Sequence, residues 1–118
     1  MHRSLLINAQ HVDHYHFQGW PDYGLPSDFS EFKHLVDITT ESLLRRENKV
    51  LIHCRGGFGR TGTTIAIVNA LLSIKTQQKA GIEDPLLSIY SIVKQLRQQR
   101  LNLVEEPAQY NYIFQYLR

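Results

Sequence analysis

One cysteine, Cys54, stands directly ahead of a glycine-rich run and six positions before an arginine: His53-Cys54-Arg55-Gly56-Gly57-Phe58-Gly59-Arg60-Thr61-Gly62. Cysteine is a nucleophile only as the thiolate, and a helix start with cationic neighbours favours that form. The run Val50-Leu51-Ile52 before it reads as a short buried strand, and Thr63 to Ile74 after it as a largely buried helix. A Gly-rich turn between them lets backbone N–H groups converge on one anion, with the helix N-terminus adding partial positive charge. Arg60 can offer a planar fork to two phosphate oxygens. The expected phosphate cradle is therefore Arg55, Gly56, Gly57, Phe58, Gly59 and Arg60. His53 is expected to hydrogen-bond backbone around Cys54 and fix the loop. A thiolate beneath a bound phosphate points to attack on phosphorus.

The spacing Cys-x5-Arg-Thr resembles the signature loop of the protein tyrosine phosphatases, in the form HCxxGxGRTG. Trp20-Pro21-Asp22-Tyr23-Gly24-Leu25-Pro26 is similar to the family's movable acid loop. The segment from Arg100 to Gln109 is similar to its late, water-positioning loop. The three occur in the family's order, and the resemblance runs from about Asp13 to the C-terminus.

That resemblance implies roles residue by residue. Cys54 attacks phosphorus and forms a cysteinyl-phosphate, Asp22 is the general acid and then the base, and Arg60 binds the phosphoryl oxygens. The Thr61 hydroxyl stabilises the departing thiolate. Trp20 and Pro21 serve as hinge and anchor of the acid loop, and Arg100 braces the signature loop. The usual glutamine near the hydrolytic water falls on Glu105, whereas Gln109 matches a second, later glutamine. A carboxylate at Glu105 faces bound phosphate with like charge, so the second step is expected to be slow unless Gln109 substitutes. The implied substrate is a phosphorylated protein or peptide, most naturally phosphotyrosine, with no cofactor and no metal. The runner-up is a catalytically weak phosphate-binding or interaction module.

The elements that must position these groups are legible in outline. Ser4 to Ile7 and His11 to Gln18 read as strands. Asp28 with Glu31 makes a capping box for a helix striped by Phe29, Phe32, Leu35, Val36 and Leu43. Asn48-Lys49 turns into the Val50 strand, and Gln77 to Glu83 is a polar connector. Asp84-Pro85 reads as the start of a helix with Leu86, Ile89, Tyr90, Val93 and Leu96 on one face. Pro107 opens a last helix bearing Tyr110, Ile113, Phe114 and Leu117. The expected fold is a single α/β domain over residues 1–118: three layers, with a small mixed sheet flanked by helices, like a protein tyrosine phosphatase truncated on its N-terminal side. The strand ending at His53 is expected to lie centrally.

The chain has 118 residues, 42% hydrophobic and 20% charged, which is an ordinary composition for a globular domain. A net charge of +2 offers no argument for nucleic acid. One cysteine excludes an internal disulfide, no stretch approaches a membrane span, and the N-terminus lacks a signal peptide's apolar core. A cytoplasmic setting, or the cytosolic part of a larger protein, is expected. The family's full domain is considerably longer, and its front half, with the loop that grips the phosphotyrosine ring, has no counterpart here. Hence uncovered strand edges are expected, and with them oligomerisation or a missing N-terminal half.

The same residues admit blander readings. Cys54 can be a small buried hydrophobe. Gly57 to Gly62 matches the dinucleotide pattern G-x-G-x-x-G, but KTQQKAGIED is no second strand. His11, His14 and His16 suggest a metal, although packing suits histidines leading into the acid loop better. Arg45, Arg46, Lys94 and Arg97 read as solvated helix faces, and Tyr90, Tyr110, Tyr112 and Tyr116 as core and edge residues of helices.

Overall fold

The computed structural model describes residues 1–45 and 49–118. Arg46 and the Asn48 part of the expected turn lie outside them. The chain begins with an antiparallel hairpin, β1 (His2–Ile7) and β2 (Gln10–Tyr15), with Ile7 opposite Gln10 and His2 opposite Tyr15. Asn8 and Ala9 both take positive φ, 47° and 65°, as a tight two-residue hairpin turn requires. Met1 and His16 add one more rung, with hydrogen bonds of 3.0 and 2.8 Å. His14 and His16 stack loosely at 6.2 Å, whereas His2 stacks on Tyr15 and pairs with Asp13.

Among the described residues four helices follow: α1 (Phe29–Leu44), α2 (Gly59–Lys79), α3 (Ile89–Gln99) and α4 (Pro107–Tyr116). Helix α1 starts where the sequence requires, because the Asp28 carboxylate accepts from Glu31 N at 3.1 Å and satisfies an otherwise unpaired N–H. Helix α2 is the hub, and α1, α3 and α4 each pack against it. Ala66, Ile67 and Val68 of α2 are buried in one cluster with Phe32 and Val36 of α1, Ile89, Val93 and Leu96 of α3, and Ile113 of α4. Thr63 and Thr64 can sit in this interior because their hydroxyls donate to Gly59 O and Arg60 O one turn back, at 2.7 and 2.9 Å.

Four expectations are corrected. The sheet is a two-stranded antiparallel hairpin, not a small mixed one, so the α/β chain is helix-rich rather than three-layered around a central strand. Val50 to His53 forms no strand, although the run Val50-Leu51-Ile52 has the composition of a short buried one. A strand exists only through its ladder, and among the described residues no neighbour pairs with this run, leaving Leu51 87% exposed. Helix α3 begins at Ile89, not Pro85. Gln77 grips the backbone of Leu86 from both sides, donating to its carbonyl at 2.8 Å and accepting from its N–H at 2.9 Å. That pair of hydrogen bonds keeps residue 86 out of the helix with its side chain in solvent, and the next available cap, Ser88, accepts from Ser91 N. Helix α2 is longer than expected at both ends, taking in Gly59 to Gly62 and most of the polar connector.

Candidate active site

The turn from Cys54 to Phe58 sits on the N-terminus of α2, which opens at Gly59. Two donors converge on the Cys54 sulfur: Thr61 Oγ1 at 2.9 Å and Gly57 N at 3.3 Å. Burial by itself pushes the thiol pKa up. The Thr61 hydroxyl, the backbone N–H groups of Thr61 and Gly57, and the Arg60 charge outweigh it and hold the thiol below its ordinary value. Gly57 has φ +79°, which no β-carbon tolerates easily, and this conformation turns its N–H toward the sulfur. His53 Nδ1 lies 3.3 Å from Cys54 O, where the sequence places it.

Arg100 holds the outside of this turn. Its Nη2 donates to Gly56 O at 3.0 Å, its guanidinium lies 4.6 Å over the Phe58 ring, and a Cβ on Gly57 would fall 2.6 Å from its Nη1. The turn is therefore closed from below by Thr61 and from outside by Arg100.

Above the turn lies the segment Trp20 to Pro26. Trp20 is buried, its ring edge-on to Phe32 at 5.1 Å, which ties the segment to the core. Pro21 to Gly24 forms a tight turn closed by Gly24 N to Pro21 O at 3.1 Å, with Tyr23 at φ +60°. Asp22 thereby projects toward Arg60, whose Nη2 donates to the Asp22 carboxylate while Nη1 donates to Trp20 O at 3.1 Å.

The third wall is the segment between α3 and α4. Arg97 donates Nε to Leu103 O at 2.9 Å and Nη2 to Val104 O at 2.7 Å. Val104 N donates to Phe58 O at 3.0 Å. Val104 is buried with φ +63°, a costly conformation for a β-branched residue that persists because these bonds and its burial fix it. Glu105, next along, is exposed on the cleft wall. The cleft, of about 340 Å³, is lined by Asp22, Tyr23, Cys54, Arg55, Gly56, Phe58, Gly59, Arg60, Glu105 and Gln109.

Every expected site residue thus falls in the cleft or in the shell that holds it. Gln109 differs from expectation in what it does there: it is fully buried, and its amide is engaged with backbone on both sides. Arg97, read from the sequence as a solvated face, is instead a clamp on the late segment. Tyr23 and Gly24 were not singled out, though both lie within the acid-loop motif. Only the spacing of Arg97, one helical turn before Arg100, hinted at a shared task. Among the described residues no cluster of His, Cys, Asp or Glu is arranged to hold a metal ion, and no helix is long and apolar enough to cross a membrane.

Comparisons with known proteins agree with this arrangement. The family model for protein-tyrosine phosphatases matches residues 3–118. The chain is 36% identical over 112 residues to the tyrosine-protein phosphatase corkscrew of Drosophila melanogaster, covering 90% of this chain and 13% of that protein. It is 33% identical over 107 residues to a rat receptor-type tyrosine-protein phosphatase epsilon, covering 87% of this chain and 14% of that one. Among solved structures, a Trypanosoma brucei protein tyrosine phosphatase superposes with a TM-score of 0.69 at 34% identity, over 84% of this chain and 32% of that one. The chain therefore spans about a seventh of those curated relatives and about a third of the solved one.

Proposed function

This chain belongs to the protein-tyrosine phosphatase family, and we propose that it hydrolyses phosphate monoesters, with protein phosphotyrosine as substrate, through a cysteinyl-phosphate. The observation that carries this reading is the convergence of the Thr61 hydroxyl and the Gly57 N–H on Cys54 Sγ, in a cleft that also holds Asp22 and Arg60. A sulfur so surrounded is biased toward the thiolate, the form that attacks.

The reaction divides between the walls of the cleft. The phosphoryl group enters the turn at the start of α2, where backbone N–H groups, the helix terminus and the Arg60 guanidinium stabilise its equatorial oxygens most strongly as charge spreads in the transition state. Cys54 Sγ forms a bond to phosphorus while the P–O ester bond breaks. Asp22 gives its proton to the departing oxygen, so that oxygen leaves as a neutral hydroxyl. In the second step water forms the new P–O bond, Asp22 takes its proton, and the thiolate leaves toward the Thr61 hydroxyl. This assignment of Cys54, Asp22, Arg60 and Thr61 uses only groups that line or underlie the cleft. His53 and Arg100 keep the turn in shape without touching substrate.

A second reading, a module that binds phosphate esters with little turnover, is favoured by one feature: the Glu105 carboxylate on the cleft wall. Turnover of a small aryl phosphate separates the two. The phosphatase reading expects steady turnover that Cys54→Ser abolishes while phosphate-ester binding survives. Binding without turnover in the parent chain would favour the module.

A further inference from the structure

The Gly24 carbonyl is one point where the acid loop meets the rest of the molecule. It accepts from Trp20 Nε1 at 2.8 Å and from Gln109 Nε2 at 3.3 Å. Gln109 cannot swing away from this contact freely. It is fully buried, its Oε1 accepts from Glu106 N at 3.1 Å, and a Cβ on Gly59 would fall 2.9 Å from that same oxygen. Its amide therefore spans three pieces of the site: the N-terminus of α4, the start of α2 and the acid loop. The loop needs such a hold. Tyr23 sits at φ +60° in the turn that presents Asp22, a conformation that costs a non-glycine residue on the order of 1–2 kcal/mol and persists only when its surroundings fix it.

We propose that Gln109 is a positioning residue for the general acid: its amide fixes Gly24, and through the strained Pro21–Gly24 turn it fixes Asp22 over the cleft. The inference rests on the phosphatase reading and sharpens it, because it moves Gln109 from the hydrolytic water to the acid. Both ends of the amide are engaged with backbone, and one of its N–H donors is given to the loop.

The test compares the parent chain with Gln109→Leu on two esters, phenyl phosphate and a strongly activated dinitrophenyl phosphate. The ratio kcat/KM covers the steps up to departure of the leaving group, and only the poor leaving group needs the acid. Misplacing Asp22 should lower kcat/KM for phenyl phosphate by roughly 10- to 100-fold and leave the activated ester nearly untouched. In an Asp22→Ala background the same substitution should then cost phenyl phosphate nothing more. Partition of the cysteinyl-phosphate between water and an added alcohol should not change. A residue that orders water would do the reverse, lowering kcat with kcat/KM intact and shifting the partition toward alcohol. That result would overturn the proposal.

Two further measurements keep it decidable. Trp20 is the sole tryptophan and shares the Gly24 acceptor, so its emission should shift in Gln109→Leu without any substrate. Unchanged emission overturns the proposal even if the parent chain turns over no ester, an outcome that would separately sink the phosphatase reading. If Gln109→Leu does not fold, Trp20→Phe removes the other donor to Gly24 while keeping a ring against Phe32. It should reproduce the same selective loss on phenyl phosphate, and an equal loss on both esters would count against the loop as the point of action.

Discussion

The guanidinium of Arg60 is ion-paired with the Asp22 carboxylate, the group proposed to bind phosphate with the group proposed to protonate the leaving oxygen. Both Nη atoms are engaged by the acid loop, one by Asp22 and the other by Trp20 O. An incoming phosphate takes Nη2 from Asp22, and the carboxylate, released from its cation, takes up a proton from solvent or from the incoming monoester and then faces the ester oxygen as the acid. Binding and arming of the acid are thus one exchange of partners.

Asp22→Ala follows from this exchange with two opposite effects. Removing a competing carboxylate from a partly exposed ion pair should tighten inorganic phosphate or vanadate by about 2- to 5-fold, the worth of such a pair in solution. Turnover of phenyl phosphate should fall by roughly 10²–10⁴-fold, as loss of a general acid typically does, with activated esters much less affected. Titration of anion binding beside a leaving-group series checks both. Weaker anion binding in Asp22→Ala would show that the carboxylate supports the cradle rather than competing for it.

The Cys54 environment sets a pH dependence. The thiol pKa is lowered in the folded chain, so the thiolate, and with it alkylation by iodoacetamide, should appear at lower pH than for an ordinary cysteine near 8.5. Thr61→Val removes the side-chain donor at nearly constant shape, so the alkylation midpoint and the acidic limb of kcat/KM should both move to higher pH. The stability contribution has a fixed sign. Because the folded pKa is depressed, it is present in full above the ordinary thiol pKa and is lost as pH falls through the folded value. Thr61→Val should therefore destabilise the chain more at alkaline than at acid pH, measured by urea unfolding at both.

Much of this site was legible because its signals are local. Asp28 caps α1 and Pro107 opens α4 as their residue types require, and the signature turn, Arg100 and the acid loop meet as their motifs suggest. What local pattern could not carry was which backbone groups find a partner farther along the chain. Leu86 looks like the first apolar residue of a helix until Gln77, nine positions back, takes both of its hydrogen bonds. Val50 to Ile52 has the composition of a strand and, among the described residues, no partner to make it one. Arg97 looks like a surface charge because its acceptors are the Leu103 and Val104 carbonyls, and carbonyls leave no trace in residue type.

Gly62 marks a contact that sequence alone leaves silent. Alanine in a helix is ordinarily better than glycine by roughly 0.5–1 kcal/mol. Here a Cβ would lie 2.4 Å from Val104 N and 3.0 Å from Leu103, backbone atoms that cannot rotate away. Gly62→Ala should therefore destabilise by about 1–3 kcal/mol, as overpacking does, and push the late segment off Phe58 O. Thermal unfolding gives the sign directly, and a rise in stability would show that the segment yields.

Glu105 is the last residue whose behaviour the geometry constrains. It follows Val104, whose left-handed conformation is pinned by Arg97 and Phe58 O, so its carboxylate stays on the cleft wall. A negative charge there opposes a phosphorylated Cys54 and the approach of water activated by Asp22, which also carries negative charge at that stage. Dephosphorylation of Cys54 should then limit turnover, seen as a burst of the alcohol product. Glu105→Gln removes the charge at nearly constant shape and should raise kcat by a factor on the order of a few, as expected for a solvent-screened charge, while shrinking the burst. The gain should diminish at high salt, because screening already weakens the repulsion in the parent chain. Rapid-mixing kinetics on both chains decide it. An unchanged kcat for Glu105→Gln, with no burst in the parent, would place the slow step before the cysteinyl-phosphate and remove Glu105 from the account of the second step.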